Sequence, residues 1–145
     1  ETVEPEMQLR HEGFREALAE ADLPVLRSRI LPCHLDVESA EAAIDSALAE
    51  GVDFDCIIAA NDRIALGAIR SLQRHGRKVP DDVAVIGYDN AQFGRYSTPA
   101  LSTISQDPKR GARLMVSKLL SRGSMIHAKS EQMATELIVR ESCGG

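Results

Sequence analysis

Cys56-Ile57-Ile58-Ala59-Ala60-Asn61-Asp62 and Val83-Ala84-Val85-Ile86-Gly87-Tyr88-Asp89-Asn90 are two continuous apolar runs, each ending in polar residues. A strand with one wet face alternates apolar and polar side chains. A run without alternation is a strand covered on both faces, as in a parallel sheet flanked by helices. Between the two runs, apolar residues from Ile64 to about Arg74 follow helical spacing, with Gly76 as a stop and Val79-Pro80-Asp81-Asp82 as a turn. Strand, helix and strand in that order predict an α/β class domain with a doubly wound parallel sheet.

Working outward, Met7, Phe14, Leu18 and Ala21 recur at helical spacing from about Met7 to Ala21. Val25–Leu31, entered through Pro24, reads as a strand. Asp36 is placed to cap a helix from Val37 to Glu50, whose Ala40, Ala43, Ile44, Ala47 and Leu48 share a face and which Gly51 closes. Beyond Asn90, Ala91–Ala100 is a loop and Leu101–Ser105 a short strand. Asp107-Pro108 opens a helix to about Ser121, with Asp as cap and Pro at the first helical position. Arg122–Ser130 is a polar linker and Met133–Val139 a last strand. No internal repeat occurs.

Composition sets the outer limits. The chain has 145 residues, 43% hydrophobic and 27% charged, enough apolar material for a core and unlike a disordered chain. No apolar run approaches the roughly 18 residues of a membrane helix, which predicts no membrane partner. The chain opens Glu1-Thr2-Val3-Glu4-Pro5-Glu6, without Met and almost directly into helical sequence, as expected of a piece of a longer protein.

The net charge of −5 is unevenly spread: residues 1–55 hold 14 acids and 4 bases, residues 56–145 hold 8 acids and 13 bases. Lys109, Arg110, Arg113, Lys118, Arg122 and Lys129 lie in an acid-free stretch, which could mark a nucleic-acid footprint. Here Arg110, Arg113 and Lys118 interleave with Leu114, Met115, Leu119 and Leu120 at helical spacing, so a solvated helix face is the better reading. Cys33, Cys56 and Cys143 form no CxxC and no Cys/His cluster, and no metal site is expected. Cys56 reads as a small core residue. Free thiols suit a reducing compartment, and a cytoplasmic location is expected.

In an open parallel sheet, ligands bind beyond the carboxyl ends of the strands. Asn61-Asp62 and Asp89-Asn90 stand at that edge, and adjacent strands about 4.8 Å apart would let both pairs reach one ligand. An amide beside a carboxylate suits hydroxyl groups or ring N–H donors. Asp62 is read as the cap of the following helix, leaving Asn61 and Asp89 as the candidates. No Gly-rich nucleotide loop, no G-x-S-x-G elbow and no H-E-x-x-H is present. His11, His34, His75 and His127 are scattered. Nothing specific points to an enzyme or to a cofactor.

Several stretches are familiar as a set. Ala59-Ala60-Asn61-Asp62-Arg63-Ile64-Ala65-Leu66-Gly67-Ala68 resembles the ANDxxALG segment of the LacI/GalR family of bacterial transcriptional regulators. So do Val79 to Asn90 and Pro99-Ala100-Leu101-Ser102-Thr103-Ile104-Ser105-Gln106-Asp107, while Arg10-His11-Glu12-Gly13-Phe14 matches the family's RxxGF helix start. The four motifs keep the family order and cover nearly the whole chain.

The resemblance implies the effector-binding region of a regulator, with the fold of periplasmic sugar-binding proteins and no enzymatic activity. Two α/β lobes of such a protein close on a small effector, a sugar or a purine-like metabolite, and closure alters DNA binding by a separate N-terminal helix-turn-helix. By the same resemblance, residues 1–105 are the C-terminal lobe without its first strand. Residues 106–130 are a crossover helix of the N-terminal lobe, and 131–145 return as last strand and tail. Arg10, Asn61, Asp89 and Gln106 match ligand contacts, Gln106 at the hinge crossover. The position where relatives place a stacking aromatic is Leu35, so this lobe is expected to lack that platform. The apolar stripe of the crossover helix (Leu114, Met115, Leu119) is expected to pack elsewhere or against a partner chain. Relatives are homodimers, which implies interface roles for Ala65, Ile69 and Leu72 and for the loop around Phe93–Thr98; core packing accounts for Ile69 and Leu72 equally well. The alternative is a periplasmic sugar-binding protein of an ABC transporter.

Overall fold

The computed structural model describes residues 5–120 and 131–145. Four helices and four strands follow along them: α1 (Pro5–Glu20), α2 (Val37–Ala49), β1 (Cys56–Ile58), α3 (Asp62–Arg74), β2 (Ala84–Tyr88), β3 (Ser102–Ser105), α4 (Pro108–Leu120) and β4 (Glu136–Ile138). Short 3-10 turns lie at Arg27–Arg29, Gln92–Arg95 and Glu141–Cys143. The strands form one sheet in the order β1-β2-β3-β4. β1 and β2 run parallel with Ile57 opposite Val85, β2 and β3 run parallel with Gly87 opposite Thr103, and β4 is antiparallel to β3. This is the α/β fold expected from the unbroken apolar runs, with one antiparallel strand added. The linker expected over 122–130 lies outside the described residues.

The core fills one side of the sheet. Ile44 of α2, with Ala65, Ala68, Ile69 and Leu72 of α3, packs on Ala59, Val83, Val85 and Leu101. The two helices approach so closely at Gly67 that an added Cβ would strike the Val37 carbonyl oxygen and the Ala40 methyl. Arg74 bridges the helices outside, reaching Glu41 at 2.8 Å and Asp45 at 2.5 Å. Asp36 caps α2 as expected, accepting from the Ser39 amide at 2.8 Å. Asp107 does the same for α4 through Arg110 at 2.9 Å. Gly51 and Gly76 end α2 and α3 in left-handed conformations.

A turn containing Ser142 fastens the strands. The Ser142 hydroxyl, fully buried, donates to the Val85 carbonyl at 2.6 Å and accepts from the Ser102 amide at 2.8 Å. One side chain thus ties β2 to β3.

Several expectations are corrected. Val25–Leu31 is not a strand but exposed chain around the 3-10 turn at Arg27–Arg29. A strand needs a neighbour to bond, and among the described residues the outer edge of β1 has none. Cys56 is exposed rather than a core residue, because it sits on that free edge strand. Cover of the sheet is uneven: Ile58 is 60% exposed, whereas Ala84, Ile86 and Tyr88 of β2 are half-buried on the face that Arg10 of α1 reaches. Ala65, Ile69 and Leu72, implied as interface positions, are buried within the single chain and unavailable to a second copy. No residue of α4 is buried, and Met115, Val116, Leu119 and Leu120 are exposed. Within the chain its contacts include Gly111 with Met133 and an ion pair of Lys118 with Glu131. Among the described residues Leu114 is half-buried while Met115 and Leu119 stay exposed, so packing elsewhere in the chain covers the stripe only in part.

Candidate functional site

The carboxyl ends of β1 and β2 open onto a cleft of about 420 Å3 lined by Leu35, Asn61, Asp62, Arg63, Asp89, Ala91 and Phe93. Its volume falls in the usual range of small-molecule sites, roughly 300–1,000 Å3. Two strand tips and the residues before α2 therefore meet where a parallel sheet is expected to take its ligand.

The cap of α3 is Asn61, not Asp62 as the sequence suggested. Asn61 is the cap of α3, its Oδ1 accepting from the Ile64 amide at 2.8 Å. That leaves its NH2 group uncommitted at the cleft. Asp62 instead turns inward and is 2% exposed. One of its oxygens accepts from the Thr103 hydroxyl and the other from the Ala91 amide, both at 2.6 Å. Gly87 is required beside it, because a Cβ there would collide with Asp62 Oδ1. The buried carboxylate thus joins the start of α3, the loop after β2, and β3.

Asp89 stands at the tip of β2 with φ 106, followed by Asn90 with φ 51. Two successive non-glycine residues in positive-φ conformations turn the chain sharply at the cleft. The Asp89 amide is held by the Ile104 carbonyl at 2.9 Å. Partial burial raises the pKa of its carboxyl, and the nearby Arg10 guanidinium works against that rise. Asn90 faces the sheet: it accepts from Arg140 at 2.7 Å and donates to Ser105 at 3.2 Å. It is a brace, not a ligand group.

Arg10 reaches the strand tips from α1. Its guanidinium lies 3.6 Å above the centre of the Tyr88 ring and donates to the Ala60 carbonyl at 2.7 Å. It is close to Asp89 without lining the cleft. Gln106, beyond β3, is exposed and does not line the cleft. Of the four residues carried over from the resemblance, the fold brings Asn61 and Asp89 into one wall, sets Arg10 beside them, and leaves Gln106 apart. Arg63 and Phe93 line the cleft without having been singled out as ligand residues. Arg63 was legible as the second residue of a helix starting at a strand tip; Phe93 had no local signal. Among the described residues no cluster of His, Cys, Asp and Glu could hold a metal.

The structure thus sets a polar cleft at the carboxyl ends of the parallel strands of an α/β sheet. Residues 1–143 match the periplasmic binding protein-like domain family, and the chain belongs to that family. Its relatives are LacI-type transcriptional regulators. It is 37% identical over 137 residues to the HTH-type transcriptional repressor PurR of Vibrio parahaemolyticus, spanning 93% of this chain and 41% of that protein. A LacI-family transcriptional regulator from Sanguibacter keddieii superposes with a TM-score of 0.90 at 40% identity, over 95% of this chain and 53% of that one. The regulator CelR in complex with cellobiose gives 0.86 at 32% identity, over 92% and 41%. The chain thus spans about two fifths to one half of these relatives. They are transcriptional regulators, not enzymes.

Proposed function

We propose that this chain is the effector-binding part of a LacI-type transcriptional regulator, responding to a sugar or related metabolite. The observation that carries the reading is the convergence of Asn61, Arg63 and Asp89 on one cleft at the strand ends. Asp89 accepts hydrogen bonds from the effector, Asn61 and Arg63 donate to it, and the nearby positive charge of Arg10 offsets that of Asp89. Gln106 joins only if a second lobe closes over the cleft. The cellobiose complex of a relative supports a carbohydrate effector.

In this reading residues 1–105 and 131–145 make up the C-terminal lobe and 106–130 a crossing helix of the other lobe. DNA is bound by a separate N-terminal domain, the protein works as a cytoplasmic homodimer, and the effector acts through its unequal affinity for open and closed forms. The kinship with regulators favours this over a transport protein.

A thermal-shift screen of mono- and disaccharides and purines tests it. A true effector at 100 times its Kd adds about 2.7 kcal/mol of stability, and Asp89→Asn abolishes the shift. A shift that survives Asp89→Asn and Arg10→Ala together would sink the site assignment.

A further inference from the structure

The tip of β2 is held in a conformation that its own residues do not favour. Asp89 and Asn90 sit at φ 106 and 51, and residues with side chains keep such values only where their surroundings fix them. Three successive amides are fixed. That of Asp89 donates to the Ile104 carbonyl at 2.9 Å, that of Asn90 to the Thr103 hydroxyl at 3.2 Å, and that of Ala91 to the Asp62 carboxylate at 2.6 Å. All three holds come from β3 and the start of α3.

The side chain of Asn90 is held from the far end of the chain. Arg140 donates from one guanidinium nitrogen to Asn90 Oδ1 at 2.7 Å and from another to the Leu101 carbonyl at 2.5 Å. The NH2 of Asn90 passes the connection on to the Ser105 hydroxyl at 3.2 Å. Arg140 is itself anchored through its backbone. Its amide donates to the Ser102 hydroxyl at 2.8 Å, and that hydroxyl, fully buried, donates to the Arg140 carbonyl at 3.0 Å.

Among the described residues no carboxylate forms an ion pair with Arg140. A half-buried cation is thus directed at two carbonyl oxygens, one of them on the residue next to Asp89. Hydrogen bonds from a charged donor are shorter and stronger than neutral ones, and a guanidinium offers them in a fixed plane. Arg140 therefore constrains where the Asn90 side chain lies, and with it the backbone that carries Asp89 into the cleft.

We propose that Arg140, acting through Asn90, is the positioning residue of the effector cleft: it locks the tip of β2 so that Asp89 is in place before the effector arrives. This rests on the effector-binding reading above. Without the lock the tip relaxes toward ordinary backbone conformations. Only a fraction of the molecules then present Asp89 correctly, and the apparent affinity falls by that fraction.

The lock is read first without a ligand, by amide hydrogen exchange and by NMR couplings sensitive to φ. Arg140→Met keeps the length of the side chain and removes its donors. Its Asp89 and Asn90 amides are expected to exchange roughly tenfold faster, beyond any change at Ile69 and Leu72 in the core, and the positive-φ couplings to be lost. Asn90→Gly adopts φ 51 without strain and offers Arg140 no oxygen, so it loses the same protection and decides the matter if Arg140→Met does not fold. Asn90→Asp, which keeps an oxygen for the guanidinium, restores it. Gly67→Ala, on the contact between α2 and α3, moves tip and core amides together. D-glucose, D-ribose and cellobiose, titrated by NMR, are expected to bind Arg140→Met roughly tenfold more weakly than the wild type. Tip amides that change only in step with Ile69 and Leu72 make Arg140 a general stabiliser and overturn the inference. Sugar binding that is lost in Asp89→Asn but intact in Arg140→Met overturns it too, and leaves the proposed function standing. A wild-type chain that binds none of the three sugars counts against the proposed function, and the exchange pattern then decides the lock alone.

Discussion

Single side chains carry unequal weight at the strand tips. Asp62 holds two buried donors, the Ala91 amide and the Thr103 hydroxyl. Leaving both without an acceptor costs about 2–4 kcal/mol, so Asp62→Ala is expected to lower the urea midpoint sharply. Thr103→Val takes a hydrogen bond from the buried carboxylate and an acceptor from the Asn90 amide, and should cost about 1.5–3 kcal/mol. Asp89 behaves in the opposite sense. Its pKa is raised by burial, so the neutral form is the one the fold favours. That favour is fully present below the ordinary value of 3.8 and is lost as the pH rises through the raised folded value. Asp89→Asn keeps a residue that tolerates positive φ and removes the desolvated charge. It is expected to leave stability at neutral pH equal or higher while abolishing effector binding. Urea titrations of both proteins across about pH 3 to 7 should show the gap closing toward acid. A gap that widens toward acid contradicts the assignment.

At the level of elements, α2 and α3 are the organising pair. Gly67→Ala gains up to about 1 kcal/mol of helix propensity. The new methyl must displace the Val37 backbone as well as Ala40, and overpacking of that kind costs about 1–3 kcal/mol. Since a carbonyl at a helix start yields little, a net loss is expected, visible as a lower Tm. The same pair is acid-labile. The pKa of Asp36 is lowered by its hydrogen bond from the Ser39 amide, and that of Asp45 by the hydrogen bond from Ser71 with Arg74 assisting. Their stabilisation is present above 3.8 and lost as the pH falls through the lowered folded values. Helical circular dichroism should therefore fall steeply on the acid side of 3.8, and less steeply in Asp36→Asn.

These elements are also where the sequence was most legible. The unbroken runs at 56–60 and 83–86 announced a parallel sheet, and Asp36, Gly51, Gly76 and Asp107-Pro108 announced helix ends. Val25–Leu31 misled because a strand exists only beside a partner, which local composition does not reveal. Asn61 and Asp62 misled because both can cap a helix. Which one turns inward is decided by Thr103 and Ala91, roughly thirty to forty residues away in the chain.

At the scale of the whole molecule, much apolar surface is left uncovered among the described residues. Met115, Leu119 and Leu120 on α4, Ile58 on β1 and Val139 just after β4 are more than half exposed, and β1 itself carries no charge to guard its edge. Unguarded edges and apolar faces associate. Sedimentation velocity is expected to show mass rising with concentration, and Ile58→Lys with Leu119→Glu to suppress that rise. A wild-type chain that stays monomeric at every concentration contradicts it. Ser142 has a different consequence, one of timing. The ribosome delivers β1, β2 and β3 well before residue 142. Until that hydroxyl emerges, the Ser102 amide and the Val85 carbonyl stand open in a half-made sheet. The hydroxyl that ties β2 to β3 is therefore made only after both strands, so this sheet is clasped late.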